Sequence, residues 1–128
     1  HAQLTLDRMA RKCAKQAKRL ERLSIEQRHD LRKDLKKLRY ASDFFLCLYP
    51  KKKSDKFVKA LKKLQNIFGY LNDVAMAEDL VAQHGHKSPE ISMALGYLLG
   101  WHHGEAEKAF GHARVAWNDF AATKAFWR

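Results

Sequence analysis

Apolar residues recur every three or four positions along nearly the whole chain, as they do on the buried face of an amphipathic helix. No segment alternates apolar and polar residues in the way that a half-exposed strand does. With two prolines and six glycines in 128 residues, the chain also has too few turn formers for a β-sandwich. These features predict an all-α protein, and the length allows one domain or part of one.

Local signals divide the chain into four long helices, over the approximate ranges 4–23, 24–50, 54–83 and 88–120. Ser24 and Gln27 form an S-x-x-Q capping box at the start of the second helix. Pro50 ends that helix, and Ser54 is the predicted N-cap of the third. Ser88-Pro89-Glu90 combines a cap, a proline at the first helical position and an acid in the first turn, which predicts the start of the fourth.

Short connections make consecutive helices antiparallel, so we expect an up-down-up-down four-helix bundle. The apolar phase shifts at Gly69 and at Asn72-Asp73, where we expect a kink or a short break in the third helix. The segment His84–Lys87 is the predicted loop before the fourth helix. The apolar stripe predicted to face the core from the fourth helix consists of Ile91, Leu95, Leu98, His102, Ala106, Ala109, Ala113, Trp117 and Phe120.

Positive charge is concentrated in the first half of the chain. Residues 1–63 hold 20 of the 25 Lys and Arg residues and 7 of the 14 acids, a net charge of +13, whereas residues 64–128 have a net charge of −2. Such an excess attracts polyanions: nucleic acid, inorganic phosphate polymers or an acidic membrane surface. No apolar run approaches the roughly 20 residues of a membrane span, so no membrane insertion is expected. An anion-binding surface is therefore predicted on the first half, with the second half as scaffold.

The first predicted helix carries a cationic arc opposite its apolar stripe. Seven Lys and Arg side chains share about 120° of the helical wheel, with Asp7 and Glu21 as the acids nearby. Like charges four positions apart repel each other, and a bound anion would relieve that repulsion; a solvated face is the alternative interpretation. The arc consists of Arg8, Arg11, Lys12, Lys15, Lys18, Arg19 and Arg22.

The second predicted helix carries a cationic row that borders its apolar stripe, which predicts a position at the edge of a groove. His29, Arg32, Lys36, Arg39 and Tyr40 share about 100° of the wheel and extend over about 15 Å. This row suits an extended chain of phosphates, because Arg offers a planar fork of donors and Lys a point charge. The expected opposite bank, on the third helix, is Lys59, Lys62, Lys63 and Asn66.

Other polar residues of the second helix are interpreted differently. Asp30, Asp34 and Lys37 lie further round the helix and are predicted to be solvent-exposed charges. For His29, a structural hydrogen bond is the alternative to contact with a phosphate, to which its ring would donate an N–H.

The remaining histidines form no recognisable metal or catalytic pattern. His84-x-His86 lacks zinc-ligand spacing, and the adjacent His102 and His103 point about 100° apart on a helix. His102 falls on the apolar stripe, so we predict a hydrogen-bonded core residue. The sequence contains no Gly-rich phosphate loop and no carboxylate cluster for Mg²⁺. We therefore expect no metal, no cofactor and no enzymatic activity.

Cysteines and tryptophans are interpreted as packing residues. Cys13 and Cys47 are far apart in the sequence and form no disulfide framework, which favours a reducing compartment such as the cytoplasm. Both thiols are predicted to lie in the core. The same interpretation is given to Trp101, Trp117 and Trp127.

An ordered set of motifs resembles the CHAD family, the conserved histidine α-helical domain. Phe68-Gly69 stands where that family usually has Leu-Gly. The motifs are His29-x-x-Arg-Lys-x-x-Lys-Lys-Leu-Arg-Tyr40, Leu61-Lys-Lys-Leu-Gln65, Phe68-Gly-x-Leu-Asn-Asp73, Gly100-Trp101, Trp117-x-x-Phe120 and Phe126-Trp127.

The resemblance implies two tandem four-helix bundles that bind inorganic polyphosphate through a basic channel, often beside a triphosphate tunnel domain. The present chain, residues 1–128, would be a single bundle, the second half of such a domain. Asn72 and Asp73 match a family motif to which we assign a structural role. The implied polyphosphate-binding residues are His29, Arg32, Lys33, Lys36, Lys37, Arg39 and Tyr40, with Lys62 and Lys63, and the cationic arc adds Arg8, Arg11, Lys15, Lys18 and Arg22.

Three functions follow as hypotheses. The first is a polyphosphate-binding module with a basic groove lined by the first three helices. The second is a nucleic-acid-binding helical domain, although the chain has neither a recognisable helix-turn-helix nor aromatic residues interleaved with the basic ones. The third is an accessory module of a polyphosphate-linked enzyme that acts only with a neighbouring catalytic domain.

Overall fold

The computed structural model describes residues 1–84 and 88–128, and these residues form four α-helices. No strand occurs among them. Two 3-10 helices, Leu20–Arg22 and Leu46–Leu48, follow the first and second α-helix. The predicted all-α class and the four-helix count are confirmed. The helices are α1 (Ala2–Ala17), α2 (Ile25–Phe45), α3 (Lys51–His84) and α4 (Pro89–Ala122).

The two strongest start signals form as predicted. The Ser24 hydroxyl accepts a hydrogen bond from the Gln27 amide at 3.1 Å, and the Gln27 side-chain oxygen accepts one from the Ser24 amide at 2.9 Å. At the start of α4, the Ser88 hydroxyl accepts from the Ile91 amide at 3.2 Å, and Pro89 occupies the first turn. Each cap satisfies backbone donors that the first helical turn leaves without partners.

Three predicted helix ends and one predicted interruption differ from the structure. The second α-helix ends at Phe45 and not at Pro50, because Leu46–Leu48 form a 3-10 helix. The first α-helix ends at Ala17 and not near residue 23. The third starts at Lys51, directly after Pro50, so that Ser54 lies inside the helix and its hydroxyl donates to the Lys51 carbonyl at 3.0 Å. The predicted break near Gly69 is absent, since α3 continues as α-helix to His84. Burial of residues on both sides of Gly69 outweighs the roughly 1 kcal/mol by which glycine disfavours a helix. The predicted loop after His84 falls on residues outside those described.

Cross-helix contacts show that α1 and α4 run antiparallel to each other. Asp7 near the start of α1 meets the residues that follow α4, because Trp127 Nε1 and Arg128 each donate to its carboxylate at 2.8 Å. At the other end of α1, Arg114 donates to the Ala17 carbonyl at 3.1 Å. These contacts join the first helix to the last and so close the bundle.

The core consists of α1, α2, the first part of α3 and the last part of α4. The Phe57 ring lies about 5 Å from the rings of Phe120 and Trp127 and 5.4 Å from Phe126. Aromatic pairs at such distances contribute beyond their buried area. Other fully buried side chains that connect the helices include Leu6, Leu20, Leu31, Leu35, Leu38, Leu61, Leu64 and Phe68.

Helices α3 and α4 project beyond the core as an antiparallel pair. Each has 34 residues, whereas α1 has 16 and α2 has 21, so the two shorter helices end before the longer ones do. Among the described side chains, none is buried on α3 after Val74 or on α4 before Ala106. We call residues 75–84 and 89–105 the α3–α4 arm.

The arm overturns three core predictions. Ile91, Leu98 and Trp101 were expected in the core but are 53%, 55% and 62% exposed. Periodicity identifies an apolar stripe on α4 but does not reveal whether a neighbouring helix covers it, and here α1 and α2 are too short to do so. The predictions for Trp117 and Trp127 are confirmed, since both are buried.

No described helix has both the length and the apolar character that crossing a bilayer requires. This finding agrees with the absence of a long apolar run in the sequence.

Glu21 supplies a pH-dependent contribution to stability. Its hydrogen bonds with the Arg114 guanidinium, one of them 2.9 Å long, lower the pKa of this carboxyl to about 2 from an ordinary 4.5. Because the folded-state pKa is the lower one, the contribution is complete above about pH 4.5 and disappears as pH falls towards 2. We expect Glu21→Gln to unfold at lower temperature than the parent at pH 7, with the difference vanishing near pH 2. Thermal melts by circular dichroism across this range measure it.

Asp79→Asn is the control, because Asp79 is exposed and forms no ion pair among the described residues. A melting difference for Glu21→Gln that stayed constant from pH 7 to pH 2 would contradict this assignment.

Candidate functional site

A groove of about 390 Å³ lies between α2 and α3. Three cations of α2, spaced four and three residues apart, form one bank and extend over about 10 Å of the helix. Leu31, Leu35 and Leu38 are buried, and this burial fixes the rotation of α2. The three cations lie on the adjacent face of the helix, so they share an orientation towards the edge of the groove. We call it the α2–α3 groove; it is lined by Arg32, Lys36, Arg39, Gln65, Asn66, Gly69, Tyr70 and Asp73.

Arg39 connects the two banks. Its Nη1 donates to the Gln65 side-chain oxygen at 3.1 Å, and its Nε lies 3.9 Å from the Asp43 carboxylate. The Nε atom is buried and makes no hydrogen bond to any described residue. The guanidinium is thereby held in place at the groove while donor capacity remains.

The opposite bank differs from the prediction. Of the four residues expected there, Asn66 lines the groove, whereas Lys59, Lys62 and Lys63 are exposed and do not. Amides of Gln65 and Asn66, the Tyr70 hydroxyl and one carboxylate, Asp73, take the place of lysines. Helical periodicity alone does not separate the two sets, because Lys59, Lys62 and Lys63 fall on the same face of α3 as Asn66. The lysines lie earlier along the helix axis, so the axial position of the groove excludes them.

His29 makes the structural hydrogen bond that was the alternative to phosphate contact. Its Nδ1 donates to the Asn72 side-chain oxygen at 2.9 Å, which bridges α2 and α3. Asn72 thus has the structural role that we assigned to its motif. His29 does not line the α2–α3 groove, and Nε2 is the ring nitrogen left over for another partner. Tyr40 also lies outside the lining; its ring is 60% exposed, 5.7 Å from Lys36 Nζ.

A second groove, of about 900 Å³, lies on the other side of α2, against α1. Six cations and two acids line it, together with Gln16, Leu23 and Gln27. We call it the α1–α2 groove. Its charged lining residues are Lys12, Lys15, Lys18, Arg19, Lys33, Lys37, Asp30 and Asp34.

Asp34 corrects a prediction. It was interpreted as a solvent-exposed charge, but it is buried between α1 and α2, where it accepts hydrogen bonds from Lys12 at 3.2 Å and Gln16 at 2.6 Å. A carboxylate that lies so close to the core requires such partners to offset its desolvation. Lys12 is therefore partly neutralised within the protein. Lys33 Nζ lies 3.7 Å from the exposed Asp30 carboxylate, and the other lysines of this groove form no ion pair among the described residues.

The structure divides the predicted site residues into three groups. Arg32, Lys36 and Arg39 meet in the α2–α3 groove, while Lys15, Lys18, Lys33 and Lys37 meet in the α1–α2 groove. The predicted residues outside both grooves are Arg8, Arg11, Arg22, His29, Tyr40, Lys62 and Lys63, of which Arg11 lines a separate hollow beside Trp117 and Phe120.

Two polar groups escaped the sequence analysis. Gln65 and Tyr70 line the α2–α3 groove, and Tyr70 is bonded through its hydroxyl to His102 Nδ1 at 3.0 Å. The hydrogen bond predicted for His102 is thus confirmed, and its side chain is half-buried. The available signal for Tyr70 was its position four residues after Asn66, which places both on one face of the helix.

Cysteine chemistry is absent from both grooves. Burial raises the pKa of the Cys13 thiol to about 12, so this thiol is protonated at neutral pH and its core position is confirmed. Cys47 is exposed, so the prediction of a core position is wrong for it. Within residues 1–84 and 88–128, no three His, Cys, Asp or Glu side chains are placed to share a metal ion.

Comparison with known proteins identifies the family. A family model described as "CHAD domain" matches residues 1–82, which include all of α1, α2 and both grooves. The chain belongs to the CHAD family. The match to this CHAD chain ends before α4. Neither the search of curated proteins nor that of solved structures finds a significant match.

The bridge between His29 and Asn72 gives a prediction for this site. We expect Asn72→Ala to lower the free energy of unfolding by about 1 kcal/mol, because one hydrogen bond between α2 and α3 is lost. The same change should alter the tautomer populations of the His29 ring, which Asn72 now biases towards Nδ1–H. Urea unfolding and ¹⁵N NMR of the imidazole measure the two effects.

Asn66→Ala is the matched control, since Asn66 is an exposed asparagine of the same helix for which no side-chain hydrogen bond is found in the described part of the chain. Equal destabilisation by both substitutions would show that the bridge contributes nothing specific.

Proposed function

We propose that this CHAD chain binds inorganic polyphosphate, with the α2–α3 groove as the principal site. The observation that carries the proposal is the convergence of Arg32, Lys36 and Arg39 on one wall of a groove in a chain of this family. Two guanidinium groups and one ammonium group offer charge-assisted hydrogen bonds to phosphate oxygens. The amides of Gln65 and Asn66 add neutral donors on the facing wall.

The α1–α2 groove serves in this proposal as a second cationic surface. Lys15, Lys18 and Lys37 line it without an ion pair among the described residues, since Asp34 is bonded to Lys12 and Gln16. Lys33 also lines it, in an exposed pair with Asp30 that a phosphate can replace. Because helix α2 separates the grooves, a long polymer that leaves one groove remains near cations of the other. The two grooves together account for seven of the fourteen residues that the sequence suggested.

The proposed role is binding without catalysis. Phosphoryl transfer uses metal ions and groups that position them around the reacting phosphate. Among the described residues that line the α2–α3 groove, Asp73 is the single carboxylate. Association with a triphosphate tunnel domain, which the family resemblance implies, would place any chemistry on that second domain.

A triple substitution tests the groove against general charge. We expect Arg32→Ala, Lys36→Ala and Arg39→Ala together to weaken polyphosphate binding about a hundredfold, taking roughly 1 kcal/mol for each charge-assisted contact. The matched control replaces Lys51, Lys52 and Lys53 with Ala. It removes the same charge from exposed positions at the first turn of α3, where cations oppose the helix dipole. Isothermal titration calorimetry at fixed salt measures both affinities.

Equal losses in the two triple variants would contradict a site and leave only a basic protein. Circular dichroism must show the parent's helix content in both, so that unfolding does not imitate lost binding. The single variants Lys36→Ala and Lys124→Ala repeat the comparison at one charge each, since Lys124 is exposed and lies outside both grooves.

Salt dependence tests the ionic origin of binding. Each cation–phosphate contact releases a counterion, so log K should fall linearly with log salt concentration. We expect the groove triple variant to have a slope shallower by about 2 to 3, because about one counterion per removed contact is no longer released. The Lys51–Lys53 control should keep the parent slope. Affinity that did not change between low and moderate salt would contradict the electrostatic basis.

Competition separates polyphosphate from nucleic acid. If the grooves fit a bare phosphate chain, polyphosphate should displace duplex DNA at far lower phosphate concentration than DNA needs to displace polyphosphate. The reverse order would favour the nucleic-acid-binding alternative.

A further inference from the structure

The α3–α4 arm carries an uncharged apolar surface that nothing in the described chain covers. Residues 91–104 include no Asp, Glu, Lys or Arg, although charged residues make up 30% of the whole chain. Met93 and Tyr97 are 76% and 85% exposed, and Leu98 and Trp101 are more than half exposed. Exposed apolar surfaces of this kind are typical of sites for protein or membrane contact.

The total exposed area is larger than a compact monomer of this mass would have. The chain exposes 8995 Å², whereas the usual scaling predicts about 7000 Å² for a monomer of 14.9 kDa. The excess of roughly 2000 Å² reflects the projecting arm. It exceeds the roughly 800 Å² that each partner buries in a standard protein–protein interface, so the arm has enough surface for a stable dimer.

Three glycines on the arm have no packing partner among the described residues. Gly96, Gly100 and Gly104 lie four residues apart on one ridge of α4. Apart from the adjoining backbone of α4 itself and each glycine's chain neighbours, no atom described lies within 4 Å of where a Cβ would stand at any of them. Each disfavours the helix by roughly 1 kcal/mol relative to alanine. Within residues 1–84 and 88–128, this cost brings no closer helix packing. Against another molecule, the ridge would let a second backbone or a bulky side chain approach α4 closely.

The ridge borders a hollow suited to large apolar side chains. The hollow has a volume of about 710 Å³, and its lining contains no ionisable group apart from the Tyr97 phenol. In the sequence, Tyr97 follows Gly96 and Trp101 follows Gly100. Large aromatic side chains therefore alternate along α4 with positions that have no side chain. The lining residues are Ala94, Gly96, Tyr97, Leu98, Gly100 and Trp101.

Charge favours a second copy of this chain over a polyanion or an acidic membrane. The cations that attract phosphates lie in residues 1–63, whereas Glu90 and Glu105 flank the uncharged stretch of α4. Two copies related by a two-fold axis would bring uncharged surface against uncharged surface and keep their basic halves apart. The pairing also supplies the missing helices. Because α1 and α2 are too short to pack against the arm, each arm has only two helices, and two arms together form a four-helix arrangement.

We propose that the α3–α4 arm is a homodimerisation surface. Two copies of this chain pack against each other there through the glycine ridge (Gly96, Gly100 and Gly104) and the hollow that it borders. The protomers then cover one another's apolar arm residues, and both pairs of basic grooves stay open to solvent. The surface is separate from both grooves, so it can fail while the proposed polyphosphate binding holds, and the reverse.

The first test measures mass against concentration. Sedimentation velocity from about 1 to about 200 µM should show a transition from 14.9 kDa to twice that mass, since the arm has the surface that an interface of standard size requires. Leu98→Glu should weaken association at least about tenfold, because a buried carboxylate would have no partner. Val115→Glu is the matched control, since Val115 is an apolar residue of α4 with 58% exposure, close to the 55% of Leu98, but lies outside the arm. It should leave association unchanged.

Substitution of two glycines gives a second test, in which monomer stability and dimer affinity should change in opposite directions at one glycine only. Gly100→Ala should raise the melting temperature of the monomer measured at low concentration, because alanine favours the helix, yet weaken dimerisation severalfold, because a methyl group blocks close approach. Gly111→Ala should raise the melting temperature similarly and leave dimerisation unchanged, since Gly111 is also an open glycine of α4 but lies outside the arm.

Tryptophan fluorescence locates the contact. Trp101 is exposed while Trp117 and Trp127 are buried in the monomer, so a concentration-dependent blue shift should disappear in Trp101→Phe. A monomer at about 200 µM would overturn the proposal. So would equal weakening by Leu98→Glu and Val115→Glu, or binding to anionic vesicles by a chain that stays monomeric.

Discussion

The burial of one leucine stripe on α2 determines which way the groove-lining cations of that helix point. Leu31, Leu35 and Leu38 are completely buried, and they fix the rotation of α2 about its axis. At 100° per residue, that rotation turns Arg32, Lys36 and Arg39 towards α3 and turns Lys33 and Lys37 towards α1. The protein does not need a specific interaction to place each cation, because hydrophobic burial of three leucines places them together. The grooves on the two sides of α2 are consequences of the same packing.

Sequence patterns correctly predicted which residues share one face of a helix, but they did not predict which residues of a neighbouring helix face them. The cationic row on α2 was recognised because Arg32, Lys36 and Arg39 repeat with the helical period beside the leucines. The expected lysine bank on α3 was wrong, because facing residues depend on the rotation and axial position of a second helix. Asp34 was misassigned for the same reason: only its contact with Lys12 and Gln16 of α1 makes burial tolerable.

The α4 helix shows a different limit of sequence reasoning. One apolar stripe continues from Ile91 to Phe120, and its periodicity is equally regular in the covered and uncovered parts. Coverage depends on the lengths of the other helices, and the end of α1 at Ala17 could not be distinguished from an end near residue 23. A local pattern therefore predicted the helix correctly and the burial of Ile91, Leu98 and Trp101 incorrectly. In an α-helical protein, unequal helix lengths decide which half of an apolar stripe becomes core and which becomes surface.

Groove and arm are connected by side chains, although they differ in chemistry. Tyr70 lines the α2–α3 groove, its hydroxyl is bonded to His102, and the His102 ring lies 4.8 Å from that of Trp101. A phosphate that took over the Tyr70 hydroxyl would remove the hydrogen bond that holds His102, beside the apolar surface of the arm. By linkage, whatever effect an anion in the groove has on association at the arm, association has the same effect on the affinity for that anion. The magnitude of the coupling depends on whether His102 has two discrete positions, since a side chain with only one arrangement transmits nothing.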